Sequence, residues 1–192
     1  MKYVKIIGIV LACAFLLACL CGFIVMRVRI PAPEKFYHSV GETFFVGDFE
    51  VTVKKTERYD YLTFLEKFDV ENFEGGAERA ITQNIHTCMV YMDIKNTSSE
   101  ALSPELYYIY IGDPTAAISL EMFTYYDMAT ETSPTLKPTI KPGETISVEF
   151  PYTVAGAIYN EYEGDFLSKI DLELTFSLYP EKHVVKLNKT VK

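Results

Sequence analysis

Residues 6–26, IIGIVLACAFLLACLCGFIVM, run for 21 positions without a charge, a proline or a strongly polar side chain. As a helix such a run is roughly 31 Å long, which matches a bilayer hydrocarbon core of about 30 Å. It therefore divides the chain into a cytoplasmic n-region at 1–5, a transmembrane signal anchor at 6–26, a stalk at 27–37 and an exterior domain at 38–192. Lys2 and Lys5 precede the run as in signal peptides and signal anchors alike, and its length beyond a typical h-region favours retention in the membrane. Arg27 and Arg29 weaken the charge asymmetry, but a five-residue tail offers little to translocate and large downstream domains cross largely regardless of charge. Pro31 and Pro33 keep the stalk extended. The expectation is a single-pass cell-membrane protein with its C-terminal domain extracellular.

Three of the four cysteines, Cys13, Cys19 and Cys21, lie in the apolar run, so Cys88 is alone in the domain and no intradomain disulfide forms. Leu16, Leu17 and Ala18 before Cys19 resemble a bacterial lipobox, which makes Cys19 a candidate lipidation site. The residues that follow, Leu20 to Met26, stay apolar, and the alternative is that Cys19 is a small residue within a membrane helix. Both readings tether the domain outside the membrane.

The formal charge of −8 conceals a split. The first 35 residues hold five basic residues and one acid, leaving 13 basic and 25 acidic residues from Phe36 onward, a balance of −12. A domain so acidic lacks the clustered Lys and Arg that phosphate binding needs, which argues against nucleic acid as a partner.

Beyond the stalk the pattern is that of strands. Val40–Val53 reads as a hairpin turning at Gly47-Asp48, with Phe49, Val51 and Val53 on one face. Cys88, Val90, Met92 and Ile94 alternate with Met89, Tyr91, Asp93 and Lys95, and Asn96–Glu100 carries turn chemistry. Glu105–Asp113 is apolar or aromatic on both faces and is expected to be one strand covered on both sides. Ile146, Val148, Phe150, Tyr152 and Val154 share a face of another strand, in which Pro151 marks an edge or a bulge. Ile170, Leu172, Leu174, Phe176 and Leu178 alternate in a further strand, and His183–Leu187 closes the chain. The spacing of Tyr61, Leu62, Phe64, Leu65 and Phe68 predicts a short helix, followed by an acidic loop, in an insert at about 58–79. About seven strands with turns between them predict an all-β, immunoglobulin-like antiparallel β-sandwich preceded by one N-terminal transmembrane helix.

The segments VGETFFVGDFEVTV, VYMDIKNTSSEAL and LKPTIKPGETISVEFPY, in that order, resemble the telokin-like immunoglobulin-fold extracellular domains of Gram-positive surface proteins and lipoproteins. The resemblance covers most of Val40–Leu187 and implies an exported β-sandwich of uncharacterised function, with no catalytic residues to transfer.

Sequence motifs for chemistry are missing. His38, His86 and His183 have no partner at metal-ligand spacing, and there is no Cys-x-x-Cys, no Gly-x-Ser-x-Gly and no phosphate loop. The acidic stretches at 69–78 and 161–165 lack a calcium-loop spacing. The expectation is therefore no cofactor, no metal and no enzymatic activity. Tyrosines offer rigid rings with polar tips, so Tyr107, Tyr125, Tyr126, Tyr159 and Tyr162 are the candidate recognition surface for a protein or other cell-surface ligand. The leading function is a membrane-anchored, non-catalytic binding module. The alternative is a structural or accessory subunit of a membrane complex, with a cell-surface hydrolase least favoured.

Overall fold

The computed structural model describes residues 13–23, 25, 29, 32–71, 76–113, 116–128, 135–177 and 180–187. They fall into two units, Met1–Glu34 and Lys35–Lys192. In the first, residues 13–23 are helical (α1), and Cys19 is exposed on them. No helix among the described residues is long and apolar enough to cross a membrane. The n-region and residues 6–12, 24 and 26 of the expected anchor lie outside the described residues.

The second unit is built from two sheets. Its strands are β1 (Glu34–Ser39), β2 (Thr43–Val46), β3 (Phe49–Asp60), β4 (Ile85–Asn96), β5 (Tyr110–Gly112), β6 (Ala117–Ser119), β7 (Thr145–Ala155), β8 (Glu173–Thr175) and β9 (Glu181–Lys186). One sheet has the order β1-β9-β8-β5-β6 and the other β2-β3-β4-β7. The core cluster takes Val51, Val53, Cys88, Val90, Met92, Ile94, Phe150 and Tyr152 from the four-stranded sheet and Ile111, Leu174 and Val185 from the five-stranded one, which makes a β-sandwich.

Local sequence explains much of this. The β2–β3 hairpin turns at Gly47-Asp48, where Gly47 takes φ 57°, and Val51 and Val53 face inward as their alternation predicts. Strand β7 ends the four-stranded sheet, so Pro151 sits on an edge strand as expected. Helix α2 (Tyr61–Phe68) starts where the Asp60 carboxylate accepts from the Thr63 N–H and stops at Asp69 in the left-handed region. Its Phe64 and Leu65, with Val70, close over Met89, so the outer face of β4 is also covered. Helix α3 (Gly76–Gln83) completes the insert.

Three expectations change. Glu105–Asp113 is not one strand: Leu106–Tyr108 is a 3-10 turn, and only Tyr110–Gly112 pairs. Leu106, Ile109 and Ile111 are buried; the three-residue step from Leu106 to Ile109 is not that of one strand face, and the Ile109 N–H donates to the Leu106 carbonyl at 3.1 Å. In the Ile170–Leu178 stretch the inward residues Leu172, Leu174 and Phe176 are buried as predicted, but only Glu173–Thr175 is strand, and Leu178 lies outside the described residues. The last residues of the expected stalk, from Glu34, form β1 beside β9.

Candidate functional site

The five-stranded sheet turns a patterned face outward. On β5, Ile111 is fully buried, so Tyr110 and Gly112 on either side of it point away from the core. Register then fixes two cross-strand rows on that face. Ser119, Tyr110 and Thr175 make one, and Ala117, Gly112, Glu173 and Lys186 the other. Small residues on β5 and β6 thus leave a floor beside the Tyr110 ring. Gly112 is needed there, since a Cβ would lie 2.1 Å from the Ala116 carbonyl oxygen.

Two adjoining clefts run along this face and share Tyr110 and Ala117. The first, about 460 Å³, lies among Tyr37, Gly112, Glu173 and Thr175, with Lys35 and Lys182 at its rim. The second, about 580 Å³, is walled by Tyr107, Tyr108, Ser119 and Phe176. Together they form one groove with aromatic walls, a small-residue floor and charged groups at one end. Lys186 Nζ lies 5.1 Å from the Tyr37 ring centroid, and Tyr107 and Tyr108 hold their rings 4.2 Å apart at 50°. The Tyr107 hydroxyl is pushed up to about 12, first by its hydrogen bond with Tyr108 and then by desolvation and by Glu105. Lys137 pairs with Glu105 at 2.8 Å beside it. Among the described residues lining the two clefts, the aromatic rings offer stacking and their hydroxyls hydrogen bonding, and Lys35, Glu173 and Lys182 bring charge to the first.

The five predicted tyrosines do not share one surface. Tyr107 stands in the groove. Tyr125, on α4 (Met122–Met128), packs edge-on against Phe150 at 5.5 Å, while Tyr126 beside it is exposed. Tyr159 leans on Phe166 at 6.0 Å and joins the rim of the core. Tyr162 lines a different cleft with Asp60, Leu62, Ile81 and His86. There burial pushes the His86 imidazole down, against the opposing pull of Asp165 and Asp60. The residue that sequence reasoning passed over is Tyr37, read as stalk. Its signal was the alternation of Lys35 and Tyr37 with Phe36 and His38, a two-residue period at the domain's entry.

Comparison with known proteins adds the family. The family described as a domain of unknown function, DUF5028, matches residues 39–183. The chain belongs to this family. The DUF5028 match takes in every strand of the sandwich except most of β1 and the end of β9. No curated protein matches the chain. Solved structures similar to this DUF5028 protein include the yjhA protein of Bacillus subtilis, at 12% identity over 79% of this chain and 99% of that one, with a TM-score of 0.48. Another is an uncharacterized beta-sandwich protein of Clostridium difficile 630, at 18% identity over 81% of this chain and 96% of that one, TM-score 0.48. A third is a functionally unknown protein of Listeria monocytogenes EGD-e, at 12% identity over 79% and 82%, TM-score 0.48.

Proposed function

We propose that this DUF5028 protein is a non-catalytic binding module with an immunoglobulin-like sandwich, tethered outside the cell membrane by its N-terminal apolar segment. The ligand, a protein or another cell-surface component, is recognised in the groove on the five-stranded sheet. The observation that supports this reading is the convergence of Tyr37, Tyr107, Tyr108 and Tyr110 around a floor of small residues. Rigid aromatic rings with polar tips give contact area at low conformational cost, and they cluster at recognition surfaces for that reason. The strongly apolar 6–26 run supports the tether.

A photo-crosslinking residue placed at the exposed Tyr108 of the full-length chain tests the reading in intact cells. The expected result is a discrete adduct that disappears in Tyr110→Ala, with none from a control position at Glu50 on the other sheet. Equal adducts from both positions, or one that persists in Tyr110→Ala, would overturn the assignment of the groove.

A further inference from the structure

Helices α2 and α3 each bury one face and leave an aliphatic side chain outside it. Helix α2 packs Phe64 and Leu65 inward, and α3 packs Ala80, with Ile81 turned about 100° from it. Leu62 is 45% exposed and Ile81 69%, and both line one cleft of about 430 Å³ with Tyr162, which is 56% exposed. Ala80 and Ile85 also line it, and Asp60 and Glu163 bring charge to its rim. None of its described lining residues belongs to the groove on the five-stranded sheet. Exposed apolar side chains that converge from separate elements inside a polar rim mark protein contact surfaces.

The walls are set before any partner arrives. Asn84, in the left-handed region at φ 50°, donates from Nδ2 to the carbonyls of Glu161 at 3.2 Å and Gly164 at 3.0 Å, and its Oδ1 faces His86 Nε2 at 3.1 Å. Its own carbonyl accepts from the Gly156 N–H at 2.9 Å. Gly156 is needed at that point, since a Cβ would lie 2.0 Å from the Glu161 carbonyl oxygen. One residue thus ties the end of α3 to β4 and to the loop that carries Tyr162 and Glu163. A preformed cleft gives up less conformational freedom on binding. The charge around it is one-sided. Asp165 and Asp60 act on His86, and Glu121 and Arg79 act on Tyr61. With Glu163 these set four carboxylates against one guanidinium, whose Nε donates to Gln83 at 3.3 Å. Burial favours the neutral form of His86.

We propose that this cleft docks a basic segment of a partner protein, whose aliphatic side chains enter between Leu62, Ile81 and Tyr162 while flanking lysine or arginine side chains meet Asp60 and Glu163. Charge complementarity selects that occupant. An anionic lipid surface or an acidic segment meets the four carboxylates as like charges, and a second copy of this chain brings an equally acidic domain. Aliphatic burial supplies the affinity, and the carboxylates steer the approach and fix the orientation.

The test places a photo-crosslinking residue at Ile81 of the full-length chain in its native cells. The expected adduct joins a different protein, through a mapped peptide that carries net positive charge together with Leu, Ile, Val or Met. Glu163→Lys, at an exposed loop position, is expected to lower the yield about fivefold or more. Glu100→Lys makes the same charge change at an exposed position beyond the far end of β4 and is expected to leave the yield unchanged. No adduct, an adduct with lipid or with a second copy of this chain, or a mapped peptide without net positive charge would overturn the proposal. Equal yields from Glu163→Lys and Glu100→Lys would overturn it as well.

Discussion

Arg58 donates from Nη1 to the Leu167 carbonyl oxygen at 2.7 Å inside the sandwich, with its Nε and Nη2 left without partners. The residue is 2% exposed, and among the described residues no ion pair to a carboxylate is formed by it. Its strand neighbour Cys88 supplies no counter-charge, since burial pushes that thiol up to about 12. A buried cation whose partners are one carbonyl oxygen and the neutral Cys88 thiol bears much of its desolvation cost uncompensated. Arg58→Met, which keeps the volume, is therefore expected to leave stability within about 1 kcal/mol of the parent, whereas Arg58→Ala loses about 3 kcal/mol to the cavity. Urea unfolding midpoints decide between them, and a Met variant as damaged as the Ala variant would sink the argument.

Glu57 sits on the outer face of the four-stranded sheet and accepts from Tyr59 at 2.7 Å and Tyr91 at 3.0 Å, with Lys55 at 3.4 Å. Its carboxyl is held down to about 2, chiefly by the Tyr59 hydroxyl, then by Tyr91 and Lys55, against a desolvation that works the other way. A depressed folded value means stability that is present above the ordinary glutamate range and is lost as pH falls toward 2. Glu57→Gln is expected to cost about 2 kcal/mol at neutral pH, and the gap to the parent closes as acid protonates the parent's carboxylate. Thermal melts across acid pH read this directly, and a gap independent of pH would contradict it.

Asn96 ends β4 fully buried and uses both ends of its amide. Nδ2 donates to the carbonyls of Glu100 at 2.7 Å and Ile140 at 2.9 Å, while Oδ1 accepts from the backbone N–H and hydroxyl of Ser98. Asn96→Asp turns the donor toward those two carbonyls into an acceptor. The expected loss is about 3 kcal/mol, larger than that of Ser98→Ala, in chemical unfolding of the full chain.

Cys88 provides a readout of the same core. Its thiol is buried and held neutral by desolvation, with Arg58 pulling weakly the other way. Alkylation of Cys88 at mildly alkaline pH, followed by peptide mapping, is expected to proceed only at the rate of unfolding and to accelerate in Arg58→Ala. Rapid labelling in the folded parent would show that the core opens locally at β4.

The strands that were legible in the sequence are those whose two-residue period is set by one buried face. Val51 with Val53, the Cys88–Ile94 series and Leu172 with Leu174 all face inward as their alternation requires. The Gly47 turn was an equally local signal. Glu105–Asp113 misled because consecutive aromatic residues suit either a strand or a 3-10 turn, and only the three-residue spacing of Leu106 and Ile109 separates the two. Arg58 was read as the start of an insert, yet β3 extends through it to Asp60, and pairing with β4 carried its side chain into the interior.

The chain's own order determined the apolar 6–26 run, the acidic balance of the domain, the inward face of each long strand and the turn at Asn96, because each depends on residues a few positions apart. Tertiary structure decided the rest. Histidines with no partner at short spacing became a pair separated by 145 positions, and Tyr37 joined Tyr107, Tyr108 and Tyr110 only through the β1-β9-β8-β5 order of the sheet. Hydrophobic periodicity states which face of a strand is buried, and leaves open which strand lies beside it. That choice is made by packing of the whole sandwich, and both the groove and the His38–His183 contact depend on it.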